Sequence, residues 1–491
     1  MAGIIPHRLY QLIISRLDGD KVYSQSYQGE IFKLVQKGIG GFIIFGGEMN
    51  DTRSFIDKLQ SMSETPLFIA SDIERGVGQQ IKGGTIFPCQ MAVRAAVRKD
   101  RPEDVSFLRD VIKAIAYEAI DVGINMPLIP VLDVNQNPDN PIICTRAFSD
   151  EPEDVAWFGA EYIKNLGGYG LISCAKHFPG HGDTSTDSHI SLPVITKSYK
   201  DLMNIDVIPF VKAIKNGVSS IMVGHMHIPA IDSIPASLSK KVVKELLRDK
   251  LGFNGLILTD ALNMSALNGI KNVHAKCINA AVDILLHPMD ADISVKELEN
   301  AIRSKEIDEE SIESALKRIL NAKAKLSGIK KAGVDYNRSR NLSALLTDMS
   351  ITIVKDSAVV SSAANNGSIV LAGDVKFHNP VLWKESFKDV STINDAAYQY
   401  KGLVIIVVFS DVSAWMGSSG IENDEKQRII ELIKRTKNSI VISFGSPYIL
   451  SHFKDADMLI AAYGATEQSQ KAVIKCLKGE MGCKGNMPVR V

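Results

Sequence analysis

The sequence predicts an α/β protein in which an N-terminal (β/α)8 TIM-like barrel is followed by a C-terminal αβα sandwich domain. Three observations support this fold class: apolar runs of strand length alternate with amphipathic stretches, polar residues follow most of these runs, and the alternation is interrupted once. The chain has 491 residues, which is long enough for two hydrophobic cores of ordinary size.

Seven short apolar runs between residues 40 and 288 are continuous rather than alternating, as expected for parallel strands that are covered on both faces. These runs are residues 41–45, 67–71, 124–130, 171–175, 220–224, 256–260 and 283–287. Stretches between them, such as 105–122 and 154–166, carry apolar residues at helical spacing. An eighth strand is expected to be weak or missing from this pattern.

The alternation weakens near residue 330, where a polar and basic connector leads into a helical stretch. Further strand-like runs follow at residues 351–355, 368–372, 403–409, 440–444 and 458–463. We therefore predict a barrel domain over residues 1–330, a connecting helix over 331–349 and a sandwich domain over 350–491.

The composition excludes several classes of partner. Lysine plus arginine and aspartate plus glutamate number 56 each, so no basic field favours nucleic acid or an anionic membrane. The apolar runs are far shorter than a membrane span, and residues 1–20 lack the pattern of a secretory signal. We expect a cytoplasmic protein with neither a nucleic-acid nor a membrane partner.

The segment that begins at Lys176 and His177 and ends in Asp187-Ser188-His189 is the strongest candidate for a reaction site. Its glycine and proline residues predict a loop, and a loop with so many ionisable side chains is more typical of chemistry than of a connector. In such a segment Asp187 can orient the imidazole of His189 and favour its protonated form. This makes His189 a candidate general acid and base near neutral pH.

Two other interpretations of this segment stay open at the level of the residues. Its histidines and aspartates could hold a metal together with His225 and His227, although their spacing matches no common zinc pattern. They could also cap turns, and Asp187 could serve only a turn amide. We predict no metal and no organic cofactor.

Other polar residues follow the predicted strands. Asp260 is either the N-cap of a helix or, at the mouth of a barrel, a carboxylate placed to attack an anomeric carbon. Asp72 and Arg146 suit the hydroxyl groups of a sugar, which donate and accept in fixed directions. Surface ion pairs are the alternative interpretation of Arg146 and Glu74.

These segments together resemble glycoside hydrolase family 3, and within it the β-N-acetylglucosaminidase branch. The matching segments are residues 130–135, 176–183 with 187–189, 259–264 and 443–448. The resemblance implies a retaining, exo-acting β-N-acetylhexosaminidase that releases terminal GlcNAc from peptidoglycan-derived muropeptides or related oligosaccharides. It implies Asp260 as the nucleophile and His189 as the acid–base residue, assisted by Asp187. The residues that would hold the terminal sugar are Asp72, Arg146, Lys176 and His177.

Three alternatives accompany this expectation: a β-glucosidase or xylosidase, a GlcNAc phosphorylase, and a non-catalytic carbohydrate-binding protein. The histidine dyad favours the glucosaminidase branch, because related enzymes usually take the acid–base residue from the second domain. Arg75 and Gln80 depart from the bacterial recycling enzymes, which carry a glycine and an arginine there. Contacts beyond the terminal sugar are therefore expected to differ.

Overall fold

The computed structural model describes residues 6–186, 191–329, 331, 333–357, 364–395, 400, 402–410 and 420–491. The chain forms two compact units. The ranges of the first are Met1–Ile86, Arg109–Val134 and Pro152–Arg340, and those of the second are Phe87–Leu108, Asn135–Glu151 and Asn341–Val491. Two stretches that the sequence placed in the barrel domain thus group with the C-terminal part of the chain. The domain boundaries at residues 330 and 350 stay a prediction.

Hydrogen bonds from the last residues of the chain hold those two stretches in the second unit. The Asn486 N–H donates to Ala95 O at 2.8 Å, and Ser149 Oγ donates to Pro488 O at 2.6 Å. The Arg490 N–H donates to Asp150 Oδ2 at 2.9 Å. Contacts over such sequence separations leave no local pattern, which explains why the sequence did not indicate them.

Eight strands lie in the described part of the first unit, and all of their pairings are parallel. They are β1 Ile13–Asp18, β2 Gly41–Phe45, β3 Phe68–Ser71, β4 Met126–Pro127, β5 Cys174–Phe178, β6 Ser220–Val223, β7 Leu256–Thr259 and β8 Leu285–Leu286. One sheet has the order β4-β3-β2-β1-β8 and the other β5-β6-β7. Isolated parallel bridges join Val131 to Lys176 and Leu258 to Ile284.

Six of the seven predicted runs contain one of these strands, and the run 171–175 overlaps the first two residues of β5. The strand that the pattern missed is β1. Its sequence interrupts the apolar run with Ser15 and Arg16, and Arg16 is exposed. A strand with a polar middle differs from the continuous apolar runs of its neighbours, so a search for buried parallel strands passes over it.

Helices alternate with the strands of the first unit, as the apolar spacing predicted. Several begin at a side-chain cap, in which Ser24, Asp290 or Asp308 accepts a backbone N–H of the first turn. The helices that lie wholly or largely in this unit are Pro6–Leu9, Gln25–Gln36, Met49–Met62, Pro102–Val122, Pro152–Gly168, Tyr199–Asn204, Ile208–Lys215, the π-helical Lys241–Lys250, Val273–Asn279, Ala291–Arg303 and Glu309–Leu326.

The second unit is built on a mixed sheet. Its described strands are β9 Thr352–Lys355, β10 Ser368–Gly373, β11 Val390–Thr392, β12 Leu403–Phe409, β13 Asn438–Phe444 and β14 Met458–Ala461, in the order β11-β10-β12-β13-β14-β9. Only β9 pairs antiparallel among them. The sequence missed β11, a three-residue edge strand that is only partly buried.

Both faces of this sheet are covered. Alternate residues of β12 enter two different apolar clusters, one shared with helix Asn423–Arg435 and the other with helix Glu467–Leu477. The other described helices with most of their residues in this unit are Gln90–Ala96, Tyr336–Ser350 and Pro380–Lys384. Among the described helices of the whole chain, none has the length and apolar character needed to cross a membrane.

Candidate active site

A buried lysine near the carboxyl end of β5 lies at the centre of the candidate site. Lys176 Nζ is 2.6 Å from Asp72 Oδ1 and 2.7 Å from Glu74 Oε1. Lys176 is 1% exposed, whereas the side chain of Asp72 is 30% exposed. Removing such charges from water costs about as much as their attraction returns, so stability alone gives no strong physical reason for the cluster.

The structure extends β5 beyond the predicted run, because Lys176 and His177 belong to the strand and not to the following loop. The Leu132 N–H donates to Lys176 O at 2.6 Å, and the Lys176 N–H donates to Pro130 O at 3.2 Å. The sheet therefore fixes the backbone of both residues, which places their side chains more rigidly than a loop would.

Asp133 organises the histidines beside this lysine. His177 Nδ1 lies 2.7 Å from Asp133 Oδ2, and the backbone N–H groups of His177 and His181 donate to Asp133 Oδ1 at 3.2 and 2.7 Å. Burial by itself would raise the pKa of Asp133, but the two histidines outweigh it and hold the pKa below its usual range. Asp133 is therefore an anion that fixes the orientation of the His177 ring.

His181 has a structural role in this arrangement. Its side chain is buried, and Nδ1 lies 2.8 Å from the hydroxyl oxygen of Thr184. Burial lowers the pKa of His181 to about 4, with partial opposition from the charge of Asp133. A ring that stays neutral between pH 5 and pH 8 is a poor proton donor for catalysis.

Asp260 follows β7, at the same end of the parallel strands as Asp72. Its N–H donates to Val223 O at 3.0 Å, and its Oδ1 accepts the Ala261 N–H at 2.8 Å. Residues 262 and 263 form a turn, and the short 3-10 helix Ser265–Leu267 has Met264 at its N-cap position, so Asp260 does not cap a helix. Between the two interpretations of this residue, the structure thus favours a carboxylate at the strand ends.

The negative charge of Asp260 affects the pKa of two other side chains. Burial lowers the pKa of His225, and the Asp260 carboxylate opposes that shift. Burial raises the pKa of the Cys174 thiol to about 12, and Asp72 and Asp260 both add to the shift. Both carboxylates thus favour the neutral form of this thiol, which is a poor nucleophile.

The proposed dyad, Asp187 and His189, lies outside the described residues. Arg146 belongs to the second unit, where its Nη1 donates to Ile142 O at 3.0 Å and its carbonyl oxygen accepts from Gln90 Nε2 at 2.9 Å. The catalytic and sugar-binding roles of these residues stay predictions. Of the predicted set, the structure brings Lys176 into contact with Asp72 and places His177 beside Lys176 on β5. Asp260 follows β7 at the same end of the strands.

Arg75 and Gln80, which depart from the family pattern, form hydrogen bonds within the segment that follows β3. Gln80 Nε2 donates to Asp72 O at 3.3 Å, and the Arg75 N–H donates to Gln79 Oε1 at 2.7 Å. Gln80 therefore contacts the backbone of Asp72, the most accessible member of the lysine cluster.

Sequence reasoning missed three contributions to the site. Sugar binding and a surface ion pair were the two interpretations of Glu74, and neither predicted that it is buried against Lys176. Asp133 lies in the segment 130–135 that resembles the family, but its contact with His177 was not predicted. Lys197 and Asp206 form a shielded ion pair that no local pattern indicates, since single charged residues in polar stretches usually face solvent.

Among the residues that the structure describes, no group of three or more histidine, cysteine, aspartate or glutamate side chains is arranged to hold a metal ion. The acidic and basic groups at the strand ends contact one another instead. Their chemistry is that of hydrogen bonding and proton transfer to a polar ligand.

Comparison with known proteins assigns the family. Residues 6–322 match the glycosyl hydrolase family 3 N terminal domain. The chain is 32% identical over 373 residues to beta-hexosaminidase A of Pseudoalteromonas piscicida, an alignment that covers 67% of this chain and 62% of that protein. It is 26% identical over 512 residues to a beta-N-acetylglucosaminidase/beta-glucosidase of Cellulomonas fimi, which covers 92% of this chain and 88% of the relative. The chain therefore belongs to glycoside hydrolase family 3.

Solved structures show the same fold. A glycoside hydrolase family 3 beta-N-acetylglucosaminidase from Paenibacillus sp. str. FPU-7 matches with a TM-score of 0.85 at 24% identity, over 100% of this chain and 99% of that chain. The beta-glucoside phosphorylase BglX matches with a TM-score of 0.86 at 23% identity, over 100% and 94%. At these identities the likeness concerns the fold.

Proposed function

We propose that this protein is a retaining, exo-acting β-N-acetylhexosaminidase that releases terminal GlcNAc from peptidoglycan-derived muropeptides or related oligosaccharides. The observation that carries the proposal is the cluster of Lys176, Asp72 and Glu74 at the strand ends that also bear Asp260. The names of the relatives in Pseudoalteromonas piscicida and Cellulomonas fimi support the hexosaminidase assignment.

The lysine cluster suits the hydroxyl groups at the non-reducing end of a sugar. The ammonium group of Lys176 can donate to a sugar oxygen, and the accessible Asp72 carboxylate can accept a sugar hydroxyl proton. His177, held by Asp133, adds a third oriented polar group.

The mechanism that we propose is a double displacement. His189, oriented by Asp187, protonates the glycosidic oxygen while the Asp260 carboxylate attacks the anomeric carbon, so that the aglycone leaves and a glycosyl ester forms. His189 then accepts a proton from a water molecule that attacks the same carbon and releases Asp260. Two inversions give net retention, and no step requires a metal or an organic cofactor.

The proposal includes a closed (β/α)8 barrel and a cytoplasmic location. The bridges between Val131 and Lys176 and between Leu258 and Ile284 support closure, because they join the edges of the two parallel sheets into the order expected for eight strands. In such a barrel the residues after the strands line one mouth.

Trapping the intermediate tests the mechanism. We expect incubation with a 5-fluoro GlcNAc glycoside to add one sugar mass to the protein, and peptide mapping to locate that mass on Asp260. Asp260→Asn should bind the reagent without becoming labelled, and turnover should fall on the order of 10⁴-fold. A label on any other residue would overturn the assignment of the nucleophile.

A second candidate is a phosphorylase, and the likeness to a beta-glucoside phosphorylase favours testing it. In that reaction inorganic phosphate would replace water in the second displacement. Turnover of a nitrophenyl GlcNAc with and without phosphate separates the two reactions. A phosphorylase would give GlcNAc 1-phosphate and a higher rate with phosphate, whereas a hydrolase would give free GlcNAc in both conditions.

A further inference from the structure

Two described segments, which we call arms, flank residues 187–190 in the chain after β5. The first arm is residues 179–186 and the second is residues 191–198. In the second arm the Ile195 N–H donates to His227 O at 2.9 Å, and the His227 N–H donates to Pro193 O at 2.8 Å. This arm is therefore held beside the end of β6.

The first arm lies tightly against its surroundings at two glycines. A Cβ added to Gly182 would lie 1.8 Å from Val134 O, and a Cβ added to Gly180 would lie 2.6 Å from the Cβ of Asp206. Gly180 also has a φ of +139°, which residues with side chains rarely adopt. The path of this arm is thus set by backbone contact, and one of its contacts is Asp206.

Lys197 connects the two arms. Its Nζ donates to Asp206 Oδ2 at 2.8 Å and to Oδ1 at 3.1 Å, and it lies 3.6 Å from Asp183 Oδ2 in the first arm. Asp206 is 1% exposed and the Lys197 side chain is 12% exposed. A shielded pair with contact to both carboxylate oxygens holds a more defined geometry than an exposed pair.

We propose that Lys197 and Asp206 are positioning residues that fix both ends of the loop from which Asp187 and His189 act on the glycosidic oxygen. This inference rests on the proposed function, because it requires His189 as the general acid. Proton transfer needs heavy atoms within about 2.6–3.2 Å of each other. A loop whose ends shift by about 1 Å loses on the order of 10²-fold in rate.

The test compares two GlcNAc glycosides that differ in their need for the acid. A phenyl aglycone must be protonated as it leaves, whereas a 2,4-dinitrophenyl aglycone leaves as a stable anion. The ratio kcat/KM reports the glycosylation step for both. For Lys197→Met we expect kcat/KM to fall on the order of 10²-fold with the phenyl glycoside. With the dinitrophenyl glycoside we expect a fall of less than about threefold.

Matched variants separate positioning from general damage. Lys37→Met removes a lysine of an exposed pair, with Nζ 2.6 Å from Asp292 Oδ2, and should leave both values unchanged. Lys197→Arg keeps the positive charge and should restore most of the phenyl activity. If Lys197→Met does not fold, Asp183→Asn carries the same test, because it removes only the longer contact of a partly exposed carboxylate. We expect it to lower the phenyl value about fivefold with little change for the dinitrophenyl glycoside.

His189→Ala in the same series distinguishes failure of this proposal from failure of the proposed function. A strong dependence on the leaving group in His189→Ala, combined with equal losses or no loss for both glycosides in Lys197→Met, would overturn the positioning role alone. If His189→Ala lowers kcat/KM by the same factor for both glycosides, the acid assignment is overturned, and the positioning role with it. A selective loss in both variants supports both.

Discussion

Two buried charge clusters in the first unit use the same ion-pair chemistry with opposite signs. Lys176 lies between two carboxylates, Asp72 and Glu74, whereas Asp283 lies between two arginines, Arg248 and Arg318. Each cluster has one partly exposed residue, since the Asp72 side chain is 30% exposed and that of Arg318 is 28% exposed. Burial and charge therefore do not distinguish a binding cluster from a structural one.

Position along the strands does distinguish them. Asp283 precedes β8, its Oδ2 accepts the N–H of Ile257 near the start of β7, and Arg248 donates to the backbone carbonyls of Phe253 and Gly255. These contacts connect chain segments at the amino ends of the strands. The Lys176 cluster lies at the carboxyl ends, where the other candidate catalytic groups also lie. The end of a parallel sheet that carries a charge cluster is thus the better guide to its role.

Breaking the structural cluster should have the largest effect on stability. Asp283→Asn leaves the buried guanidinium of Arg248 without a negative partner, and we expect the free energy of unfolding to fall by about 3–5 kcal/mol. Urea denaturation measures this loss. The kcat/KM of the molecules that remain folded should be unchanged, and a large fall in that value would assign Asp283 a role in the site.

The corresponding change in the binding cluster should affect activity instead. Asp72→Asn removes the more accessible of the two carboxylates that contact Lys176, and Lys176 keeps Glu74 as its partner. We expect kcat/KM for a nitrophenyl GlcNAc to fall about 10²-fold, the loss of one hydrogen bond to a charged group. The free energy of unfolding should change by less than about 1 kcal/mol. A loss of stability equal to that of Asp283→Asn would contradict the distinction between the clusters.

A third buried charge sharpens the comparison, because no carboxylate among the described residues forms an ion pair with it. Lys323 is 1% exposed, its Nζ donates to Gln11 Oε1 at 2.8 Å, and burial lowers its pKa to about 7. Since the unfolded chain binds the proton more tightly, this residue costs stability that is recovered as the pH rises from about 7 toward 10.5.

Lys323→Met should therefore raise the free energy of unfolding by about 1–3 kcal/mol near pH 6, with the gain shrinking toward pH 10. Denaturation at both pH values measures it. Lys325→Met, an exposed position on the same helix, is the matched control and should show neither the gain nor its pH dependence. A gain that is the same at both pH values would mean that packing, and not the charge, accounts for it.

The smallest expected effect concerns two histidines. Burial lowers the pKa of His181 and of His287 to about 4, and Arg16 adds to the shift at His287. The ring resonances of both residues should stay constant in an NMR titration from pH 8 to pH 5. Ionisations seen in the pH dependence of kcat/KM over that range would then belong to other groups. A midpoint above pH 5.5 for His181 would indicate that its surroundings are wetter than the structure implies.

Local pattern predicted what depends on neighbours in sequence. The apolar runs located β2 to β8 and the central strands of the second unit, and the polar residues after them pointed to Asp72, Lys176, His177 and Asp260. The limits of this approach appear at β1, where Arg16 breaks the run, and at β11, a short edge strand. The contact of Glu74 with Lys176 was not predicted, because a buried ion pair has no sequence pattern.

By itself, then, the sequence determined the α/β class, the strand ends at which we propose the site and the family resemblance, because hydrophobic periodicity and motif spacing are local properties of the chain. Tertiary structure alone decided that Glu74 shares Lys176 with Asp72, that Asp133 orients His177, and that Lys197 connects the arms of the loop through Asp206. Each of these contacts joins residues on different elements. Tertiary packing determines which of these side chains meet in the protein interior, and the spacing of residues along the sequence does not reveal it.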